Sequence, residues 1–192
     1  MSTAVLVIDM QNGFCRDDGS FPTAGFALPQ IKDVIARNAE LVAAARLRNI
    51  PVIYTRHVLR PDRLDADAWL KKLPLGPAAL EIGSHDADII DELAPAPGDV
   101  VVDKNRFDAF LYTELETVLR ALDVRRVIVS GVVTSVCVES SVRSGYQRGF
   151  DMLVAADCVS GPEPLAKSSL RILDHVFAEV LPWAEALDRA GR

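Results

Sequence analysis

Cysteine is scarce in this chain. Cys15, Cys137 and Cys158 are its three, too few and too widely spaced for a disulfide framework or a zinc ribbon. That usage fits a reducing compartment, and a cytoplasmic protein is expected. Histidine is equally sparse at three residues, and a metal site needs several ligands, so neither a metal nor an organic cofactor is expected. Positive charge is in deficit: 21 Lys and Arg against 27 Asp and Glu give a net charge of −6 with no basic stripe. This excludes a nucleic-acid footprint and leaves a small molecule as the expected partner. No apolar run has the length of a membrane span or signal peptide, and Met1-Ser2-Thr3-Ala4 leads into a short strand. Internal repeats and low-complexity segments are absent as well. What is present in quantity is hydrophobic residue, 49% of the chain, which argues against disorder and for one domain over residues 1–192 with a single large core.

Short apolar runs at 4–8, 51–55, 99–102, 125–130 and 151–155 are rich in Val, Ile and Leu without strict polar alternation, the signature of parallel strands covered on both faces. A last short strand is expected near 177–181. Helices are expected near 30–48, 85–93, 112–122, 135–148 and 163–176. This order predicts an α/β fold of three layers, α-β-α: a Rossmann-like, doubly wound parallel sheet of about six strands. Thr134 or Ser135 stands where a cap of the fourth helix is wanted, and Thr113 with Glu116 has capping-box spacing. Gly98-Asp99 and Gly149-Phe150-Asp151 supply turns before strands. The irregular stretch from His57 to Gly83 is long for a compact domain, and such loops often cover a site.

Asp9, Lys104 and Cys137 each fall at or just past a predicted strand end, on the rim where open parallel sheets bind ligands. Cys137 lies at a helix start, near unpaired N–H groups and the positive end of a helix dipole. Lowering a thiol pKa from ~8.5 to near 6.5 takes about 2.7 kcal/mol, of which a helix end supplies ~0.3–1. A cation is therefore required, and Lys104 is the candidate. Asp9 opposes the thiolate, so the three groups are expected to titrate as one system, with a proton shared between Asp9 and Cys137. Cys15 and Cys158 read as small buried hydrophobes. Glu139 and Arg143, four apart on one helix, read as a structural ion pair.

Val7-Ile8-Asp9-Met10-Gln11-Asn12-Gly13-Phe14, Lys104-Asn105-Arg106-Phe107-Asp108-Ala109-Phe110 and Gly131-Val132-Val133-Thr134-Ser135-Val136-Cys137-Val138-Glu139-Ser140 resemble, in order, three motifs of the isochorismatase-like cysteine hydrolases. The resemblance covers nearly the whole chain. It implies Asp9, Lys104 and Cys137 as a catalytic triad, Val132–Val133 as a cis peptide, and the N–H groups of Val133 and Cys137 as the oxyanion hole. Gln11, Phe14, Trp69, Phe107 and Phe110 are the candidate substrate-binding residues. Arg56, Arg60 and Arg63 are candidates for a substrate carboxylate, with solvated surface as their default.

Within that family the chain is most similar to the ureidoacrylate and N-carbamoylsarcosine amidohydrolases, through Ala24-Gly25-Phe26, Gly83-Ser84 and the segment from Asp91 to Asp99. It departs from them in the 57–80 loop and carries Ser135 where that branch tends to have Asn. The resemblance implies hydrolysis of a C–N bond in a small ureido, carbamoyl or amide substrate by way of a covalent acyl- or carbamoyl-enzyme. Nicotinamidases share the triad but carry an Asp-x-His metal motif where this chain has His57 and Leu59, so His57 reads as a loop or core residue. A nicotinamidase-like amidase, an isochorismatase-type hydrolase and a catalytically silent binding protein stay open as alternatives. A homo-oligomer, dimer or tetramer, is also expected.

Overall fold

The computed structural model describes residues 2–190. In chain order the elements are β1 (Thr3–Ile8), α1 (Asn12–Cys15), α2 (Ser20–Thr23), α3 (Ile31–Leu47), β2 (Val52–His57), β3 (Val100–Lys104), α4 (Leu115–Ala121), β4 (Arg126–Val132), α5 (Glu139–Gln147), β5 (Asp151–Ser160), α6 (Leu165–Ile172), β6 (Glu179–Leu181) and α7 (Trp183–Ala190). All strand pairs are parallel, in the order β3-β2-β1-β4-β5-β6. The expected three-layer, doubly wound sheet is what forms.

The strands lack polar alternation because both faces of the sheet are covered. In β1, Val5 and Val7 join the core under α3 and α7, while Ala4, Leu6 and Ile8 join the core under α4 and α5. All six β1 residues are buried. Strand order reverses beside β1, since the chain builds outward through β2 and β3 and then crosses to β4 on the other side. This switch point opens a crevice at the carboxyl ends of β1 and β4, the usual ligand site of such sheets.

Gly131 shapes that end of β4. Its φ is +103°, and a Cβ there would stand 2.0 Å from the Ile8 carbonyl oxygen, so only glycine lets β4 approach β1 this closely. The register with β5 slips between Val129 and Gly131, which turns the chain toward the next segment.

Three local expectations fail. Residues 85–93 are not a helix but two 3₁₀ turns, His85–Ala87 and Asp91–Leu93. The residues between them pair with the segment after β1: Asn12 N–H donates to Asp88 O at 2.9 Å and Ile90 N–H to Met10 O at 3.0 Å. Neither Thr134 nor Ser135 caps α5, because the chain enters from Val133 in extended conformation and winds first into a π-helical turn, Thr134–Val138. The Thr113–Glu116 box does not form either. Thr113 Oγ1 does accept from Leu115 N–H at 3.3 Å, but Glu116 turns away to Arg148 and Arg120. The closing helix α7 is not among the expected elements; its own Ala186 and Leu187 are fully buried and dock it on the core.

Candidate active site

Asp9 is the first residue past β1, Lys104 the last residue of β3, and Cys137 lies in the π-helical turn past β4. The sheet brings their side chains together. Lys104 Nζ lies 2.6 Å from Asp9 Oδ2, with both side chains essentially out of solvent (0% and 1% exposed). The same ammonium donates to Arg106 O at 3.0 Å and lies 3.6 Å from Cys137 Sγ. Asp9 has a left-handed backbone (φ +51°) and accepts a 2.6 Å bond at Oδ1 from Thr55 Oγ1. One carboxylate oxygen is thus held by β2 while the other faces the lysine. The Val132–Val133 peptide is cis, and the Val133 backbone lies where it favours the charged form of Cys137.

Burial adds to the opposition of Asp9 against ionisation of the thiol. Cys137 is 5% exposed, and desolvation pushes its pKa up to about 12. Lys104 and the Val133 N–H pull it down, Asp9 pushes it further up, and the sum leaves a neutral thiol. The helix end and the cation are visible in the sequence; the loss of water is not. For Lys104 burial opposes the charge, but its pKa is raised, chiefly by the facing Asp9 charge, so the ammonium persists beside the neutral thiol. The resting site therefore holds a carboxylate–ammonium pair beside a protonated thiol. Such a set can remove the thiol proton as the sulfur attacks a carbonyl carbon, without a standing thiolate.

His57, the last residue of β2, belongs to this cluster. It is buried in the core, as expected, yet also faces the cavity. Its Nδ1 lies 3.5 Å from Lys104 Nζ, and burial, followed by the Lys104 charge, lowers its pKa to about 3. With Nδ1 accepting from the ammonium, the ring proton is assigned to Nε2, which has no hydrogen-bond partner among the described residues. A carboxylate oxygen of Asp9, an imidazole nitrogen of His57 and Cys137 Sγ lie within 4.8 Å of one another, a spacing suited to a metal ion. Lys104 Nζ, within 3.6 Å of an atom of each, already supplies a positive charge there.

Cys137 and His57 open into a cavity of about 330 Å³. Four of the chain's seven phenylalanines and one of its two tryptophans line it. Their rings form a belt: Phe14–Phe21 at 4.4 Å between centroids, Phe21–Phe26 at 6.4 Å, Phe26–Trp69 at 6.4 Å, Trp69–Phe107 at 6.0 Å and Phe107–His57 at 6.2 Å. These separations fall in the range of attractive aromatic pairs. Asp86 ties two walls together by accepting from Ser20 Oγ at 2.7 Å and from Leu80 N–H at 2.8 Å. Trp69 and Leu80 come from the long segment after β2, which does border the pocket.

Of the expected substrate-binding residues, Phe14, Trp69 and Phe107 line the cavity and two do not. Gln11 is fully buried as a structural clamp: its Nε2 donates to His57 O at 3.0 Å and Ala87 O at 2.9 Å, and its Oε1 accepts from His57 N–H at 2.7 Å. Phe110 packs in the other core layer against Phe150, ring centroids 5.8 Å apart. Phe21, Phe26 and His57 were the residues missed. The rim position of His57, in register with Lys104, was the available signal. Glu139 and Arg143 pair at 2.7 Å, and Cys15 and Cys158 are buried thiols whose pKa values burial raises.

The family model described as "Isochorismatase domain" matches residues 3–185. The ureidoacrylate amidohydrolase RutB of Methylorubrum extorquens is 35% identical, over 93% of this chain and 79% of that protein. RutB of Pseudomonas syringae pv. syringae is 33% identical over 97% of this chain and 81% of its own length. A crystal structure of a cysteine hydrolase from Pseudomonas syringae pv. phaseolicola superposes with a TM-score of 0.89 at 33% identity, covering 99% of this chain and 92% of that one. N-carbamoylsarcosine amidase from Thermoplasma acidophilum, at 24% identity and a TM-score of 0.78 over 95% of this chain and 97% of its own, shares the fold.

Proposed function

The chain belongs to the isochorismatase family and is a hydrolase of non-peptide C–N bonds; from that premise we propose that it cleaves a small amide or ureide through a covalent bond to Cys137. The supporting observation is the buried cluster of Asp9, Lys104 and Cys137 at the base of a cavity lined mainly by apolar side chains. In this reading Cys137 Sγ attacks the carbonyl carbon while Asp9 takes the thiol proton. The N–H groups of Val133 and Cys137 hold the developing oxyanion. Asp9 then delivers its proton to the departing nitrogen, which leaves as ammonia or an amine. The enzyme is left as a thioester or S-carbamoyl derivative. Water attacks next, gives a proton to Asp9, and the sulfur departs and recovers that proton. Lys104 keeps Asp9 oriented and offsets negative charge in both halves of the cycle.

The names of the RutB relatives favour the ureide side of this substrate range. A screen of ureides, N-carbamoyl amino acids and primary amides for ammonia release tests the reading. We expect turnover of at least one class by the native protein and none by Cys137→Ser. Ammonia release at native rates from the serine variant would overturn it.

A further inference from the structure

The RutB relatives are named for a substrate that carries an acrylate, so a carboxylate would have to be bound at its non-reacting end. The cavity of this chain is built for something else. Among the described residues no arginine or lysine lines it, and its polar side-chain groups come from His57, Ser135, Cys137 and the indole N–H of Trp69. The nearby cations are engaged, Arg106 among them, which donates to Asp65 O at 2.7 Å and Asn105 O at 2.6 Å. Lys104 is bound by Asp9 and Arg106 O, Arg56 by Asp103 at 2.7 Å, Arg60 by Asp62 at 2.7 Å, and Arg63 donates to Ala79 O at 3.1 Å. The His57 ring is held neutral, so it presents a single N–H donor and no charge. The remaining wall is the aromatic belt, completed by Leu28, Leu70 and Leu80.

We propose that the substrate is an uncharged amide or ureide whose non-reacting end is an aromatic ring or a comparably bulky apolar group, and that a carboxylate at that end is rejected. The inference rests on the C–N hydrolase reading above for the reacting end, and on the cavity wall for the other. A carboxylate seated against this wall, away from Cys137, would meet no lysine or arginine lining it among the described residues, and desolvating an unpaired charge is strongly disfavoured. An apolar ring gains both burial and edge or face contacts with the belt. Size permits this: an apolar cavity of about 150 Å³ holds benzene, and this one, at about 330 Å³, leaves room for the amide as well.

Two isosteric probes isolate the charge: 4-nitrobenzamide and 4-carbamoylbenzoate. Calorimetric binding to Cys137→Ser measures the wall without chemistry. The nitro compound is expected to bind at least about 100-fold more tightly than the carboxylate. Equal affinity, tighter binding of the carboxylate, or binding of neither would overturn the inference. Ammonia release by the native enzyme, assayed in parallel with phenylurea and 4-ureidobenzoate, reports separately on the reaction. Selective binding without turnover of any compound would refute the hydrolytic reading and leave the assignment of the wall standing.

Discussion

Asp9 and Lys104 form an ion pair at 2.6 Å with neither side chain exposed to solvent. Each charge is tolerable only because the other is there. Lys104→Met should therefore strand a buried carboxylate and destabilise the fold by about 3–5 kcal/mol, as breaking a buried pair commonly does. The double variant Asp9→Asn/Lys104→Met should recover most of that loss in denaturant titration, while turnover stays absent. A double variant as unstable as the single one would mean that the pair acts through packing rather than charge.

The protonated state of Cys137 predicts the pH profile of its chemistry. Since burial raises its pKa to about 12, the thiolate fraction is small at neutral pH and grows with pH toward that value. Iodoacetamide alkylation should accelerate about tenfold per pH unit from about pH 8 to about pH 10, and Lys104→Met should slow it further. Turnover should nevertheless run near neutral pH, because Asp9 takes the proton during the step. A plateau in the alkylation rate below about pH 8 would show a standing thiolate instead.

His57 makes the protein sensitive to acid. Its pKa falls from 6.5 to about 3 on folding, so within that window the unfolded chain binds a proton that the native state refuses. The associated stability is present above pH 6.5 and is lost as pH falls, with a slope of at most ~1.4 kcal/mol per pH unit. His57→Gln should flatten this part of the stability curve between about pH 6 and about pH 4. Parallel curves for the two proteins would contradict the assignment.

Association is expected from the surface of α6 and its continuation. Leu165, Ile172 and Val176 are 58%, 45% and 49% exposed, and their spacing of seven and then four residues sets them along one helical face. A patch of this kind commonly marks an interface. Light scattering coupled to gel filtration should give a dimer or tetramer. A mass of 20.9 kDa at every working concentration would rule out stable association.

The fold was legible because the chain punctuates it consistently. Runs such as Val127-Ile128-Val129 are apolar at successive positions only where both faces of a sheet are covered, and they were found within a few residues of their observed limits. Asp9, Lys104 and Cys137 were legible as three strand-end residues, since topology alone decides that those ends share a rim. What depends on the third dimension was not. The sequence reveals the cation that lowers the thiol pKa and the carboxylate that opposes it, but not the loss of water that raises it. Gln11 and Phe110 sit inside motifs that border the site, yet their side chains turn into the core, where backbone carbonyls and Phe150 engage them. His57 was read as a residue apart because no companion stands near it in sequence; its companions come from β1, β3 and the turn after β4.

The most direct test is intact-protein mass spectrometry of enzyme quenched in acid during turnover of an accepted amide or ureide, followed by peptide mapping. A population should carry the acyl or carbamoyl mass on the peptide containing Cys137, appearing within a turnover and vanishing when substrate is exhausted. Turnover with no adduct on Cys137 at any quench time, or an adduct that is never released, would contradict covalent hydrolysis through this residue.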